Sequence, residues 1–205
     1  MGDELTPKPG QTVLIFGGSF DPPHRAHILL PQQARDAIAA NHLVFIPTAQ
    51  QPLKSSQTPA HHRLAMLKLA LQDSKHCHVL DIELKRDGPS YTVDTLRQLK
   101  KLWGDQVTLR LLIGADQLAA FDRWRDWQVI EQLAVPVIMH RDGQIPITLP
   151  NHFDRDIWLP RVINVDRVDI SSTDLRKQLA SGKPIDTNLL SQNVQDYIRQ
   201  HQLYH

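Results

Sequence analysis

The amino-acid sequence predicts an α/β fold: a doubly wound, mostly parallel sheet with helices on both faces and a C-terminal helical segment. Three observations predict it. Short apolar runs such as Val13-Leu14-Ile15-Phe16 lack the polar alternation of a half-exposed strand, and so read as strands buried on both faces. Segments with helical periodicity separate these runs through most of the chain, which is the order of successive βα units. The 205 residues suit one such domain, with residues 1–10 expected to be flexible and 171–205 forming the C-terminal helical part.

In chain order, the first strand is predicted over 12–16 and is closed by Gly17-Gly18. Ala26, Ile28, Leu29, Leu30, Ala34, Ala37 and Ile38 predict a helix over 24–40, in which Pro31 marks a kink or a later start. A strand over 42–46 follows. Leu64, Leu67 and Leu71 on one side, against Lys68 and Gln72 on the other, predict a helix over 59–74, then a strand over 79–82. The pattern continues with a helix over 92–102, a strand over 107–113, a helix over 127–133 and a strand over 135–139. Residues 141–160, rich in Pro and polar side chains, read as a long surface loop. A short strand over 162–165, a helix over 172–180 stopped by Gly182 and Pro184, and a last helix over 192–201 complete the chain.

Composition narrows the function classes. Hydrophobic residues make up 41% and charged residues 22%, which permits a buried core and excludes a disordered or fibrous chain. With 23 Lys+Arg against 22 Asp+Glu the net charge is +1, so no basic stripe recommends a nucleic acid, and an anion site must be local. The longest apolar run, 133–139, contains Pro136 and is far shorter than the roughly 20 residues of a membrane span. The single Cys77 cannot form an intramolecular disulfide, which suits a reducing, cytoplasmic setting. The start Met1-Gly2-Asp3-Glu4-Leu5-Thr6 is not a secretory signal, and its match to a myristoylation pattern is read as chance.

Chemistry concentrates in two places. The segment from Gly17 through Gly18, Ser19, Phe20 and Asp21 to His24 and His27 lies between the first strand and the first helix. Two glycines allow close backbone approach, the helix start offers unpaired N–H groups, and the two histidines three residues apart share a face. This is an anion site; a metal pair would want the i, i+4 spacing and further ligands, so phosphate is the better occupant. The second place is Ile170-Ser171-Ser172-Thr173-Asp174-Leu175-Arg176, where Ser172 reads as a helix cap. A helix start with Arg176 one turn inside it also suits a polyphosphate, through N–H groups, dipole and forked guanidinium together. His76 and His78 beside Cys77 read as at most an adventitious metal site, and His61 and His62 as solvated.

Together the two segments resemble the nucleotidyltransferase superfamily that carries T/H-x-G-H and I-S-S-T-x-x-R motifs, with His24-Arg25-Ala26-His27 in place of the first. Within it, Gly88-Pro89-Ser90-Tyr91-Thr92-Val93-Asp94-Thr95-Leu96 is similar to the bacterial nicotinate-mononucleotide adenylyltransferases. So is Ile113-Gly114-Ala115-Asp116 with Phe121-Asp122-Arg123-Trp124-Arg125-Asp126-Trp127. The resemblance spans about residues 12–179. This chain departs from the family at Ser19 for Thr, Pro23 for an aliphatic residue, Pro52-Leu53-Lys54 for Pro-His-Lys, and His140-Arg141-Asp142-Gly143 for Arg-Arg-Pro-Gly.

The resemblance implies a Rossmann-like fold and transfer of AMP from ATP to nicotinate mononucleotide, with pyrophosphate released and Mg²⁺ accompanying the polyphosphate. It implies His24, His27 and Arg176 as the catalytic set, and Gly17, Gly18, Ser19, Phe20, Asp116, Ile170, Ser171, Ser172 and Thr173 as further ATP contacts. Asp116 would take a ribose hydroxyl. It implies Lys54 and Arg141 for the mononucleotide phosphate, Trp124 stacked on the pyridine, and N–H groups at Tyr91-Thr92 for the nicotinate carboxylate, while Trp127 goes to the core. No metal site built by the protein, nucleic acid or membrane is implied, and the oligomeric state stays open, a homodimer included. The runners-up are a pantetheine-phosphate adenylyltransferase, whose chains are usually shorter, and a non-catalytic nucleotide-binding module, disfavoured by the intact His24, His27 and Arg176.

Overall fold

The computed structural model describes residues 5–49, 58–141 and 147–204. Six strands form one sheet: β1 (Thr12–Gly18), β2 (His42–Pro47), β3 (Cys77–Val79), β4 (Thr108–Gly114), β5 (Val135–Arg141) and β6 (Val162–Val165). Their spatial order is β3-β2-β1-β4-β5-β6, and all five neighbouring pairs are parallel. The chain winds outward from β1 to β3, crosses back to β4 and winds outward again. The reversal lies between β1 and β4, where a parallel α/β sheet opens its ligand crevice. The fold is Rossmann-like, as the alternation of runs and periodic segments predicts.

Helices α1 (Arg25–Ala37), α2 (Ala60–Leu71), α3 (Thr92–Trp103), α4 (Ala115–Leu118), α5 (Trp127–Leu133), α6 (Arg155–Trp158), α7 (Ser172–Ala180) and α8 (Gln192–Gln200) complete the described architecture. The sheet is apolar on both faces, which is why its strands read as unbroken runs. Val13 and Ile15 of β1 pack with Leu96 and Leu99 of α3 and Ile130 of α5, while Leu14 between them packs with Ala34 of α1 and Leu67 of α2. Each fully buried Leu or Ile there contributes about 1.5–3 kcal/mol. A further cluster joins Met66 of α2 to Leu175, Leu190, Val194 and Ile198, and so seats the C-terminal helices against α2.

Several expectations are corrected. The third strand is Cys77–Val79 rather than 79–82, because residues 81–85 turn on the Asp81 carbonyl and release Leu80 and Ile82 to plug the core. Pro31 neither breaks nor delays α1: it sits buried inside the helix, at the cost of the hydrogen bond its missing N–H would give the His27 carbonyl. Of residues 1–10, those described are anchored: Leu5 is buried, its carbonyl accepts from Trp103 Nε1 at 3.1 Å, and Gly10 N–H donates to Gln106 O at 2.9 Å. The stretch 147–160 is not simply surface loop. It contains α6, and Phe153 and Trp158 stack at 4.2 Å in the core beside Phe121.

Candidate active site

β1 ends at Gly17-Gly18, and the chain turns through Phe20, which is fully buried with φ 51° in the left-handed region that non-glycine residues rarely adopt. A Cβ on Gly18 would lie 3.0 Å from the Phe20 ring, so any larger residue would have to displace that ring by a few tenths of an ångström. His24 is the N-cap residue of α1, with an extended backbone (φ −136°). His27, one turn inside the helix, stacks on it with centroids 3.7 Å apart, and the Phe20 ring meets His27 edge-on at 5.4 Å. The Nδ1 atoms of both histidines are buried and have no hydrogen-bond partner among the described residues. Burial first, and then the positive charge of Arg141 at the end of β5, push the His24 pKa down to about 4. Burial, His24 and Arg141 hold His27 well below the ordinary value. Both imidazoles are therefore neutral at pH 7, with the positive charge of Arg141 acting on each.

The second segment meets the first across the molecule. Ser171, not Ser172, caps α7: its hydroxyl accepts from Asp174 N at 3.1 Å and donates to the Asp174 carboxylate at 2.6 Å. That frees Ser172 Oγ to donate to the Pro22 carbonyl at 3.0 Å. Arg176 Nη1 donates to the Asp21 carbonyl at 2.7 Å and its Nη2 to Thr173 Oγ1 at 3.3 Å, which uses two of five donors and fixes the plane of the rest. Ile170 is half-buried in the small cluster with Ala26, Leu30 and Val165, holding the strand of chain before α7 against α1.

At the sheet's reversal lies a cavity of about 670 Å³. Gly17 and Gly18 line it from β1, Tyr91, Thr92 and Thr95 from the start of α3, and Trp124 from the far side. Trp124 is not in a helix but follows a turn of 3-10 helix over Phe121–Arg123, with its ring 5.3 Å from Phe121. Tyr91 is the N-cap position of α3 and makes no side-chain cap; Asp94 N–H donates to the Tyr91 carbonyl at 3.1 Å, and the helix start at Tyr91 and Thr92 faces the cavity. The Arg125 guanidinium covers the Tyr91 ring at 4.7 Å. Asp116, exposed in α4, folds back so far that a Cβ on Gly114 would lie 2.3 Å from its Oδ1. Lys54 lies outside the described residues. His62 is not solvated as expected, since α8 packs beside it and Tyr197 Oη lies 2.9 Å from its Nδ1. His78 pairs with His42 at 3.2 Å at the opposite, amino end of the strands. Among the described residues no group of three or more His, Cys, Asp or Glu side chains is placed to hold a metal ion.

Comparison with known proteins decides the family. The cytidylyltransferase-like family model matches residues 15–178. A protein of Herpetosiphon aurantiacus named a probable nicotinate-nucleotide adenylyltransferase is 40% identical over 95% of this chain and 98% of its own. One of Roseiflexus with the same name is 41% identical over 93% and 96%. The chain belongs to the nicotinate-nucleotide adenylyltransferase family. In fold it matches the Plasmodium falciparum nicotinic acid mononucleotide adenylyltransferase solved with NaAD, with a TM-score of 0.76 and 22% identity over 95% of this chain and 97% of that one.

For an adenylyltransferase of this family, sequence reading assigns no role of their own to Asp21, Arg63, Glu83 and Tyr204, four residues that the structure draws into or against the site. Asp21, 3% exposed, accepts from the Tyr204 phenol at 2.6 Å and from Thr58 N–H at 3.4 Å through its carboxylate. Arg63, 1% exposed in α2, donates to the carbonyls of Ser19 (2.8 Å), Thr48 (2.8 Å) and Thr58 (3.0 Å), which clamps the turns after β1 and β2 to one guanidinium. Glu83 lines the cavity. Its Oε1 accepts from Thr95 Oγ1 at 2.6 Å, its Oε2 is buried without a partner among the described residues, and burial raises its pKa. No local pattern marks these four, since their partners are backbone carbonyls or residues distant in sequence.

Proposed function

We infer that this enzyme transfers the adenylyl group of ATP to the 5′-phosphate of nicotinate mononucleotide, giving nicotinate adenine dinucleotide and pyrophosphate in NAD biosynthesis. A mononucleotide phosphate oxygen attacks the α-phosphorus, the bond from that phosphorus to the bridging oxygen breaks, and the electron pair leaves with pyrophosphate. A phosphate monoester has a second pKa near ~6 and is already a dianion at neutral pH, so the step needs no general base. It needs positioning and a field that meets growing negative charge.

The observation that carries this reading is the junction of the two motif segments at the Asp21 and Pro22 carbonyls, beside a cavity lined by Tyr91, Thr92 and Trp124. In our proposal His24 bonds the α-phosphate as its charge builds, and His27 and Arg176 hold the triphosphate on the turn Gly17-Gly18-Ser19-Phe20. The start of α7, with Ile170, Ser171, Ser172 and Thr173, supplies N–H groups, and Asp116 accepts from a ribose hydroxyl. Guanidinium and N–H donors suit phosphate oxygens, so Mg²⁺ enters with the triphosphate as part of the substrate. Arg141, whose charge reaches both histidines, receives the mononucleotide's phosphate in this proposal, a role it shares with Lys54. Trp124 stacks on the pyridine and the α3 start binds its carboxylate. A cytoplasmic setting belongs to the same proposal.

Pyrophosphate release from ATP, measured against nicotinate mononucleotide, nicotinamide mononucleotide and phosphopantetheine, tests the reading. The expected order is nicotinate first, by a factor on the order of 10² to 10⁴ in kcat/KM over nicotinamide, because an amide NH₂ facing N–H donors leaves buried groups unpaired. A ratio near one sinks the carboxylate assignment at Tyr91-Thr92, and turnover with phosphopantetheine alone sinks the substrate assignment.

A further inference from the structure

Phe20 turns the chain at the heart of the phosphate-binding segment in an unfavourable left-handed backbone, and such a conformation persists only where its neighbours over-determine it. The residues on either side of Phe20 are both tied to distant parts of the chain. Before it, the Ser19 carbonyl accepts from the buried Arg63 at 2.8 Å. After it, the Asp21 carboxylate accepts from the Tyr204 phenol at 2.6 Å, while the carbonyl of the same residue accepts from Arg176 at 2.7 Å. Tyr204 lies past α8, 183 residues from Asp21 in sequence, and its own backbone is left-handed with φ 66°. Nothing local favours that φ for a tyrosine; its ring packs against the cluster of Met66, Leu175 and Ile198, and its hydroxyl is bonded to Asp21. Burial raises the phenol's pKa, so it stays a donor throughout the neutral range.

One hydrogen-bonded path therefore runs from the Tyr204 hydroxyl through the two ends of Asp21 to the Arg176 guanidinium. A guanidinium grips phosphate as a planar fork, and its value depends on the direction in which the remaining donors point. That direction is set by two bonds, the shorter to the Asp21 carbonyl at 2.7 Å and the longer to Thr173 Oγ1 at 3.3 Å. We propose that Tyr204 is a positioning residue for ATP: by pinning the Asp21 carboxylate it fixes the carbonyl on which Arg176 is hung, and with it the aim of the triphosphate fork. The proposal rests on the assignment of Arg176 to the triphosphate made above. It predicts an effect confined to the ATP side, since Tyr204 has no part in the cavity lined by Tyr91, Thr92 and Trp124.

Tyr204→Phe removes only the hydroxyl and keeps the ring. Steady-state kinetics of the full chain should show KM for ATP raised roughly 10-fold, as expected for loss of a bond to a charged group, with KM for nicotinate mononucleotide within about 2-fold of wild type. A thermodynamic cycle with Arg176→Ala gives the second readout. If Tyr204 acts through Arg176, Tyr204→Phe changes the ATP KM by less than about 2-fold once the guanidinium is gone. Equal rises in both KM values, or a full 10-fold effect surviving in the Arg176→Ala background, would overturn the proposal and make Tyr204 a fold element only. A silent Tyr204→Phe beside a strongly impaired Arg176→Ala overturns this inference alone. Unchanged ATP kinetics in Arg176→Ala overturns the assignment of Arg176 itself, and the inference with it.

Discussion

His24 should make the folded protein lose stability in mild acid, and His24→Asn should remove the share of that loss that belongs to His24, leaving the share of His27 and the other histidines whose pKa the fold lowers. In the unfolded chain the imidazole titrates near its ordinary value of 6.5; in the fold, burial and Arg141 delay protonation to about 4. The sign follows from proton counts. Between those two values the unfolded state carries a proton that the folded state refuses, so acid favours unfolding, and the contribution is whole above 6.5 and shrinks as pH falls toward 4. Each pH unit in that window costs about 1.4 kcal/mol, so the full interval costs about 3 kcal/mol and the step from pH 7 to pH 5 about 2 kcal/mol. His24 is only 5% exposed, so solvent screens little of this. Urea unfolding at pH 7 and pH 5 measures the difference between wild type and His24→Asn, in which the carboxylates and the other histidines titrate in both proteins and largely cancel. Arg141→Gln should recover a fraction, because its charge is the second cause of the depression and burial the first. The same loss between pH 7 and pH 5 in wild type and His24→Asn would refute the reasoning, since it would mean that the imidazole accepts its proton as freely folded as unfolded.

Arg176→Ala should weaken ATP binding more than Arg176→Lys, because an ammonium can replace the bond to the Asp21 carbonyl but not a planar fork on phosphate; isothermal titration with ATP checks the order, and equal affinity in both variants and wild type would reduce Arg176 to a tether of the loop. Gly18→Ala should cost about 1–3 kcal/mol by thermal or urea unfolding, since the added methyl meets the Phe20 ring at 3.0 Å and that ring is boxed in by Phe16, Phe45 and His27. Gly17→Ala is its control: the nearest atom to the new Cβ is the Ile46 carbonyl oxygen at 4.0 Å, and unfolding should change by less than about 0.5 kcal/mol.

What could be read from the sequence, and what could not, divides along the range of the interactions involved. The strands of the sheet's centre were legible because Val13, Leu14 and Ile15 face alternate sides of a sheet covered on both, and a run of three apolar residues records that directly. At the edge the record fails: β3 pairs only with β2 through three residues, so Leu80 and Ile82 beyond it look like strand and are used as plugs. The two segments proposed to bind phosphate stand out in the sequence because a helix start with glycine, serine, histidine or arginine is a local device, complete within a few residues. Their junction does not, because Ser172 and Arg176 are joined to Pro22 and Asp21 through main-chain carbonyls, and any residue presents a carbonyl. The same reason hides Arg63, which donates to the carbonyls of Ser19, Thr48, Ala49 and Thr58, in a helix where a lone arginine reads as surface. Charge on the buried guanidinium is tolerable only because those carbonyls converge on it, and they converge only once the turns after β1 and β2 have folded. Side-chain type thus announces the parts proposed to touch substrate, while the parts that would aim them are fixed by backbone geometry that forms with the fold, and it is on those aiming residues that fidelity of the proposed ATP site should depend.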